Sequence, residues 1–305
     1  MACKVSRFGD RLDVMVAEYA SVAAPHFAPE GYAMLKVLRD GFSRIGCTVR
    51  SPSYKKRTKD HFFDEVERLS KICEAGLVIA PDDLLYDLTV IAERNTLNLG
   101  CSSNVVKICA DKLATSEMLA RASINVPEIN PLTGPYIIKP RFGCGADGVT
   151  LVDSLKGKNI TDTAIVEKFI EGEHISVSII TGRTTLPLSI NKQMLHINGE
   201  VSYLGNVTPH EVSDPHYVIS QAVKASRLLG CKGYTGIDMV LEKDGQAHIV
   251  DVNARPTTAI VSIDNLAVNV SELIFKAGMG KELPESVEIR GKHIFFKAGS
   301  SIDEK

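Results

Sequence analysis

An α/β fold, α+β overall, is predicted by three features of this chain. Its first hundred residues alternate apolar, strand-like runs with segments of helical period. From Asp111 onward, β-rich segments separated by glycines take over. Near residue 240, two apolar runs flank an Asp-Gly pair that reads as a hairpin. The 305 residues favour two or three domains with ample core. Hydrophobic residues make up 44% and charged residues 24%, globular values that exclude global disorder. With 35 Lys and Arg against 37 Asp and Glu, the net charge of −2 provides no general footprint for nucleic acid or an anionic membrane.

The opening residues, Met1 to Asp10, carry charges where a signal peptide needs an apolar stretch. No apolar run reaches the ~18 residues of a membrane span. A cytoplasmic location is expected, with no nucleic-acid or membrane partner. The seven cysteines (Cys3, Cys47, Cys73, Cys101, Cys109, Cys144, Cys231) are odd in number, scattered and never in a C-x-x-C pair. Reduced, mostly buried thiols are expected rather than disulfides or a zinc site.

Leu12 to Tyr19 reads as the first strand. Leu35, Leu38, Phe42 and Ile45 mark one face of a helix closed by Gly46, and Phe62, Val66, Leu69 and Cys73 mark another. Leu77 to Ala80 is a buried strand stopped by Pro81. Leu84, Leu85, Leu88, Ile91 and Ala92 form a further helix. Such alternation implies a parallel sheet whose strand ends, at Glu18 to Ser21 and Pro81 to Asp83, gather ligands. A helix from Asp111 to Ser123 then leads to short strands between Tyr136 and about Asn191. A helix follows Asp214-Pro215 and stops at Gly230, and a last helix covers about Leu266 to Ala277. The predicted division is 1–110, 111–180 and 181–305.

Gly143-Cys144-Gly145-Ala146-Asp147-Gly148 is a literal G-x-G-x-x-G after the strand Tyr136 to Lys139. A dinucleotide site would need a helix next, to place pyrophosphate at its N-terminus. The β-branched run Val149 to Val152 follows instead, so the loop joins two strands. This weakens a nicotinamide-dependent oxidoreductase reading. A glycine loop between antiparallel strands can fold its N–H groups over nucleoside-triphosphate phosphates, and Lys139 supplies a charge beside it.

The Asp244-Gly245 pair predicts a two-residue hairpin turn with Lys243 opposite Gln246. That register sets Asp238 opposite Asp251, with Asn253 on the same face, and turns Ile237, Met239, Leu241, Val250 and Val252 to the core. Opposed like charges are destabilising unless compensated. Two carboxylates and an amide oxygen form a hard ligand set suited to Mg²⁺ (or Mn²⁺) bridging phosphates.

In order, these pieces resemble the ATP-grasp superfamily of carboxylate–amine ligases. The matching residues are Asp111-Lys112, Tyr136 to Pro140 with the glycine loop, Val166 to Gly172, Gly236-Ile237-Asp238, and Asp251 to Pro256. The resemblance implies an ATP-grasp fold with an N-terminal parallel α/β domain and two subdomains clasping ATP. It assigns the ATP phosphates to Lys112, Lys139 and the loop glycines Gly143, Gly145 and Gly148. Adenine falls to the linker Glu167, Lys168 and Ile170, and two metal ions to Asp238, Asp251 and Asn253. Relatives often bear a ribose-binding acid where this chain has His174, so Glu173 is nominated instead. Some relatives bear an Arg where this chain has Gly236, so Arg255, with Lys192 second, is nominated to meet transition-state charge.

The implied reaction activates a small-molecule carboxylate as an acyl phosphate for attack by an amine, with ADP and phosphate as products. A homodimer is compatible with the resemblance. Arg255 is the candidate grip on a substrate carboxylate. Glu18 or Glu30 is the candidate for holding a cation, and Tyr19 for flanking an aromatic amine. A non-catalytic ATP-binding protein on the same fold is the competing reading, and retention of the full lysine and carboxylate set opposes it.

Overall fold

The structure, a computed structural model, describes residues 11–24, 28–53 and 56–297. The expectations for Met1 to Asp10 and for Cys3 fall outside the described residues. The N-terminal section runs β1 (Asp13–Glu18), α1 (Ala20–Ala23), α2 (Ala28–Arg44), β2 (Thr48–Arg50), α3 (Lys59–Ser70), β3 (Ala75–Ile79), α4 (Asp82–Asn95) and β4 (Leu97–Asn98). Helices α5 (Ser103–Ala110) and α6 (Lys112–Arg121) lead to β5 (Tyr136–Pro140), β6 (Thr150–Val152), β7 (Ala164–Lys168), β8 (Glu173–Thr181), β9 (Thr185–Asn198) and β10 (Glu200–Thr208). Helix α7 (Pro215–Leu229), β11 (Gly233–Leu241), β12 (Ala247–Asn253), α8 (Ala259–Asn265), α9 (Val270–Gly278) and β13 (His293–Phe296) complete the chain.

The first sheet is parallel, in the order β2-β1-β3-β4. Among the described residues the second has nine strands, β12-β11-β8-β9-β10-β6-β5-β7 with β13 added on β10. Strands β1 and β3 are buried on both faces, the reason they read as continuous apolar runs. Met15 and Ala17 join a core through Phe62 and Leu88 to Ile175, Val177, Ile237 and Met239 of the large sheet. Val14 and Val16 join another, through Leu38 and Phe42 to Ile180, Ile260 and Ile274. Each of these large apolar side chains contributes ~1.5–3 kcal/mol on burial. The two sheets therefore share apolar cores, which fixes the cleft between them.

Helix starts and stops follow their sequence signals. Asp111 caps α6 by accepting from Ala114 N, Asp214 caps α7 by accepting from Tyr217 N, and Gly230 ends α7 in the left-handed region. Three expectations are corrected. The strands after Tyr136 are not all short, since β8 has 9 residues and β9 has 14. The last helix, α9, starts at Val270 rather than Leu266, capped by Asn269, which accepts from Glu272 N, and an unforeseen helix, α8, precedes it, separated by Ala267 at φ 69°. The β11–β12 turn has three residues, not two.

That turn matters for the site. Glu242 N donates to Gln246 O and Gly245 N to Glu242 O, with Gly245 at φ 91°, a type I turn closed by a left-handed glycine. The longer turn moves the register by one residue, pairing Met239 with Ile249. A bulge at Val250 moves it back, so Asp238 does face Asp251. The bulge also takes Val250 out of the predicted core set and into the cleft, and Ile249 is buried in its place. No helix among the described residues is long and apolar enough to cross a membrane. The described cysteines are free thiols.

Candidate active site

A cavity of about 310 Å³ lies between the carboxyl ends of β1 and β3 and one face of the large sheet. The glycine loop between β5 and β6 forms its roof. At one end stand the two lysines. Lys112, at the start of α6, is 9% exposed; its Nζ donates to Gly143 O at 2.6 Å and lies 3.5 Å from both Asp82 Oδ2 and Asp251 Oδ1. Burial alone would lower its pKa, but Asp251 and Asp82 raise it above the ordinary value, so the ammonium stays charged. Asp111, which caps this helix, also grips Arg141 through two hydrogen bonds of 2.7 and 2.6 Å, anchoring the base of the loop.

Lys139 Nζ donates to the carbonyl of the bulged Val250 at 2.8 Å and pairs with Glu167 Oε2 at 2.8 Å. Burial raises the Glu167 carboxyl, the lysine opposes that, and Glu167 Oε1 makes no hydrogen bond among the described residues. Lys168 and Ile170 line the cleft beside it. Their linker is pinned by Lys168 N donating to Glu128 O and Phe169 N to Pro135 O. Gly143 and Gly145 line the cleft as well. Gly148 does not; a Cβ there would press on the Pro140 ring at 3.0 Å, so this glycine closes the loop onto β5.

On the floor, Asn253 Nδ2 donates to Asp238 Oδ2 at 3.1 Å, and Val252 N donates to Asp251 Oδ1 at 3.0 Å. Burial, then the Asp251 charge, pushes the Asp238 pKa up to about 7, against hydrogen bonds from Gln193 and Asn253. Two crowded carboxylates held in this way call for a cation. No group of three His, Cys, Asp or Glu side chains suited to a metal occurs among the described residues. Asp238, Asp251 and the amide oxygen of Asn253 nonetheless form a hard donor set whose chemistry suits a divalent ion such as Mg²⁺ or Mn²⁺.

Arg255 joins this floor to the N-terminal sheet. Its Nε is 3.7 Å from Asp82 Oδ1 yet makes no hydrogen bond, and its Nη1 donates to Pro256 O at 3.2 Å. Beyond it, the far end of the cleft is walled by Glu18, Glu30, Tyr203, Thr257, Thr258 and Lys297. Tyr203 and Thr258 hydroxyls pair at 2.8 Å, and Asn206 donates to Tyr203 Oη at 2.9 Å.

Three nominated residues stand elsewhere. Lys192 lies outside the cleft, donating to Glu173 Oε1 at 2.7 Å, and Glu173 also meets His210 at 2.9 Å. Both side chains project from the sheet face that carries Ile175, whereas His174 and Ser176 face the cleft. Strand alternation is the physical reason: Glu173 and Ile175 share one face, His174 and Ser176 the other. Tyr19 packs edge-on against Phe62 with ring centroids 5.2 Å apart, also outside the cleft. Residues that sequence reasoning missed include Gln193 and Tyr203. Gln193 was findable, because Gln193, Leu195 and Ile197 repeat with the strand period on the cleft face.

An ATP-grasp domain model matches residues 109–259, the span holding both lysines, the glycine loop and the carboxylate floor. Over 223 residues the chain is 31% identical to tyramine–L-glutamate ligase of Methanocaldococcus jannaschii, covering 72% of this chain and 67% of that one. The Methanocaldococcus fervens ligase of the same name is 33% identical over 218 residues, 70% and 69% of the two chains. Among solved structures, an ATP-grasp superfamily protein from Archaeoglobus fulgidus superposes with a TM-score of 0.76 at 30% identity, covering 93% of this chain and 91% of that one. The chain belongs to the ATP-grasp family of carboxylate–amine ligases.

Proposed function

We propose that this ligase joins the side-chain carboxyl of L-glutamate to tyramine through an acyl phosphate, releasing ADP and phosphate. The observation that carries this reading is one continuous cleft. It runs from the lysines and carboxylate floor to a wall bearing Glu18, Glu30, Arg255 and Lys297. The named relatives, at 31–33% identity, supply the substrate pair.

In this reading Lys112 and Lys139 exchange their protein partners for ATP phosphates, and Gly143 and Gly145 bring backbone N–H groups over them. Glu167, Lys168 and Ile170 face the adenine. Asp238, Asp251 and Asn253 would hold two Mg²⁺ or Mn²⁺ ions, which would supply positive charge to neutralise the phosphates. Arg255 orients the carboxylate whose oxygen takes the γ-phosphoryl group as ADP leaves. The amine nitrogen then attacks the acyl carbon, and the C–O bond to phosphate breaks as the amide forms. The glycine loop, anchored through Asp111 and Arg141, excludes water that would hydrolyse the acyl phosphate.

The test is a matrix of amino acids and amines scored by ADP release, with products identified by mass spectrometry. Glutamate with tyramine is expected to give the largest response and a product of the γ-amide mass. AMP and pyrophosphate as products would overturn the acyl-phosphate route. No more ADP from the pair than from either compound alone would overturn the substrates.

A further inference from the structure

Two buried acids face the acceptor end of the cleft, and they are not equivalent. Glu18 is already occupied: Oε1 accepts from Ala20 N at 2.9 Å and Oε2 from Ser21 N at 2.6 Å, so it fastens the turn after β1. Gly31 packs directly on this carboxylate, since a Cβ there would collide with Glu18 Oε2. Glu30, 6% exposed in the first turn of α2, is different. Its Oε2 makes no hydrogen bond among the described residues, and its Oε1 is 3.9 Å from Lys297 Nζ, a loose pair.

Lys297 is fixed to the same wall by β13. Its N donates to Leu204 O at 2.8 Å, next to Tyr203 on β10. Gly205 makes this approach possible at φ 149°, because a Cβ there would collide with the Phe295 carbonyl. The Tyr203 phenol, raised to about 12 mainly by burial, feels both Asp238 and Glu30 and lines the same cleft. A cation and an anion of one wall thus face the cavity, 3.9 Å apart, with a carboxylate oxygen of Glu30 to spare.

We propose that Glu30 and Lys297 are a zwitterion clamp for the amino-acid substrate. Glu30 Oε2 accepts from its α-ammonium and Lys297 Nζ donates to its α-carboxylate, which leaves the side-chain carboxyl directed past Tyr203 toward the nucleotide end. An entering ammonium gives the spare Glu30 oxygen a charge-assisted donor, and the substrate carboxylate adds one at Lys297. This rests on the ligase reading above and names the groups that select an α-amino acid over a simple carboxylate. It also explains which carboxyl is activated: the α-carboxylate is held at the wall, away from the phosphates.

The experiment crosses variants with substrate analogues. ADP release with tyramine is measured for L-glutamate, for glutarate (no ammonium) and for 4-aminobutyrate (no α-carboxylate), in the parent, E30Q and K297M. The parent is expected to prefer glutamate at least about 100-fold in kcat/KM over each analogue. E30Q should shrink only the preference over glutarate, to less than about tenfold, and K297M only that over 4-aminobutyrate. In both, the change should fall on KM for glutamate, with nucleotide-induced thermal shift unchanged.

Equal losses for all three substrates, or a change in melting temperature alone, would overturn the clamp and make the pair structural. Should a single variant fail to fold, the charge-exchanged E30K/K297E protein keeps an ion pair. It should melt like the parent yet lose the preference for glutamate, and retention of that preference overturns the proposal. If another α-amino acid replaces glutamate as the responsive substrate, its deaminated and decarboxylated analogues serve in the same cross. If simple carboxylates respond and no α-amino acid does, the clamp is wrong and the ligase reading stands. If no carboxylate elicits ADP, both fall.

Discussion

At the nucleotide end of the cleft the two buried lysines already have protein anions or carbonyls around them. Lys112 meets Gly143 O, Asp82 and Asp251, and Lys139 meets Val250 O and Glu167. At the acceptor end, Glu30 Oε2 and Arg255 Nε are buried without a hydrogen bond among the described residues. The two lysines of the first region are satisfied, although Glu167 Oε1 beside Lys139 is not, and they work by exchange: phosphates displace internal partners, so the lysines stay fixed before substrate arrives. The second is under-satisfied and works by completion, because a buried polar atom without a partner costs ~1–3 kcal/mol until something fills it. Residues of the first region should therefore fail chemically or structurally in all-or-none fashion when changed. Residues of the second should shift selectivity.

The largest effect expected at the nucleotide end is from Asp251→Asn. The side chain keeps its shape, one of two opposed charges disappears, and Lys112 keeps Asp82. ADP release should fall by at least about 10²–10³-fold at saturating Mg²⁺ while the melting temperature holds or rises slightly. Parent-like turnover would remove Asp251 from the metal set.

Next is Lys139→Met, which strands the buried Glu167 charge. A loss of about 3–5 kcal/mol in denaturant melts is expected, together with loss of ATP-induced stabilisation. The double variant K139M/E167Q should regain most of that stability and none of the ATP response. If K139M alone is as stable as the parent, the exchange picture of this end is wrong.

The two ends also differed in how far they could be read from sequence. The nucleotide end comes from contiguous motifs whose strand parity fixes their faces, so Lys112, Lys139, Asp238, Asp251 and Asn253 all line the cavity that the sequence pointed to. Even there the Asp238–Asp251 pairing was reached through compensating differences, a three-residue turn offset by the Val250 bulge. Nothing in Lys243-Asp244-Gly245 distinguishes the two turn lengths without the partner strand. Glu173 was misplaced although the alternation Ile175, Val177, Ile179 already assigned it to the core-side face. The acceptor end draws Glu18, Glu30, Tyr203, Thr258 and Lys297 from separate stretches of the chain. Only tertiary packing of β13 on β10 brings Lys297 to Glu30, and no local pattern announces that. Tyr19 failed for the same reason, since its nearest aromatic partner, Phe62, comes from α3.

A smaller effect separates the metal floor from its surroundings through pH. Asp238 has its folded pKa pushed up to about 7, chiefly by burial and secondly by Asp251, against an ordinary aspartate value near 3.9 when unfolded. Between those values the folded protein holds one more proton than the unfolded chain. Metal-free stability therefore falls as pH rises from about 4 to about 7, by at most about 1.4 kcal/mol per pH unit from this group, and levels off above. Mg²⁺ favours the ionised carboxylate, so its stabilising effect should grow across the same window. Denaturant melts of chelated protein at pH 5 and pH 8 check this. Asp238→Asn should flatten the slope, and an unchanged slope in that variant would shift the pH dependence to other raised carboxyls such as Glu167 and Asp82.

The smallest effect expected is at Lys192, and it tests where the cleft ends. Its side chain is 46% exposed and pairs with Glu173 on the sheet face opposite the cavity. Burial raises the Glu173 carboxyl, but Lys192 and His210 pull it below its ordinary value on balance, so Glu173 keeps a partner in His210 when the lysine is removed. An exposed pair of this kind contributes ~0–1 kcal/mol. Lys192→Ala should accordingly lower the melting temperature by no more than about 2–3 °C and leave ADP release within about twofold of the parent. A loss of turnover comparable to that of Asp251→Asn, with the fold intact, would mean that β9 presents Lys192 rather than Gln193 to the substrate. The face assigned to every residue of that strand would then have to be reversed.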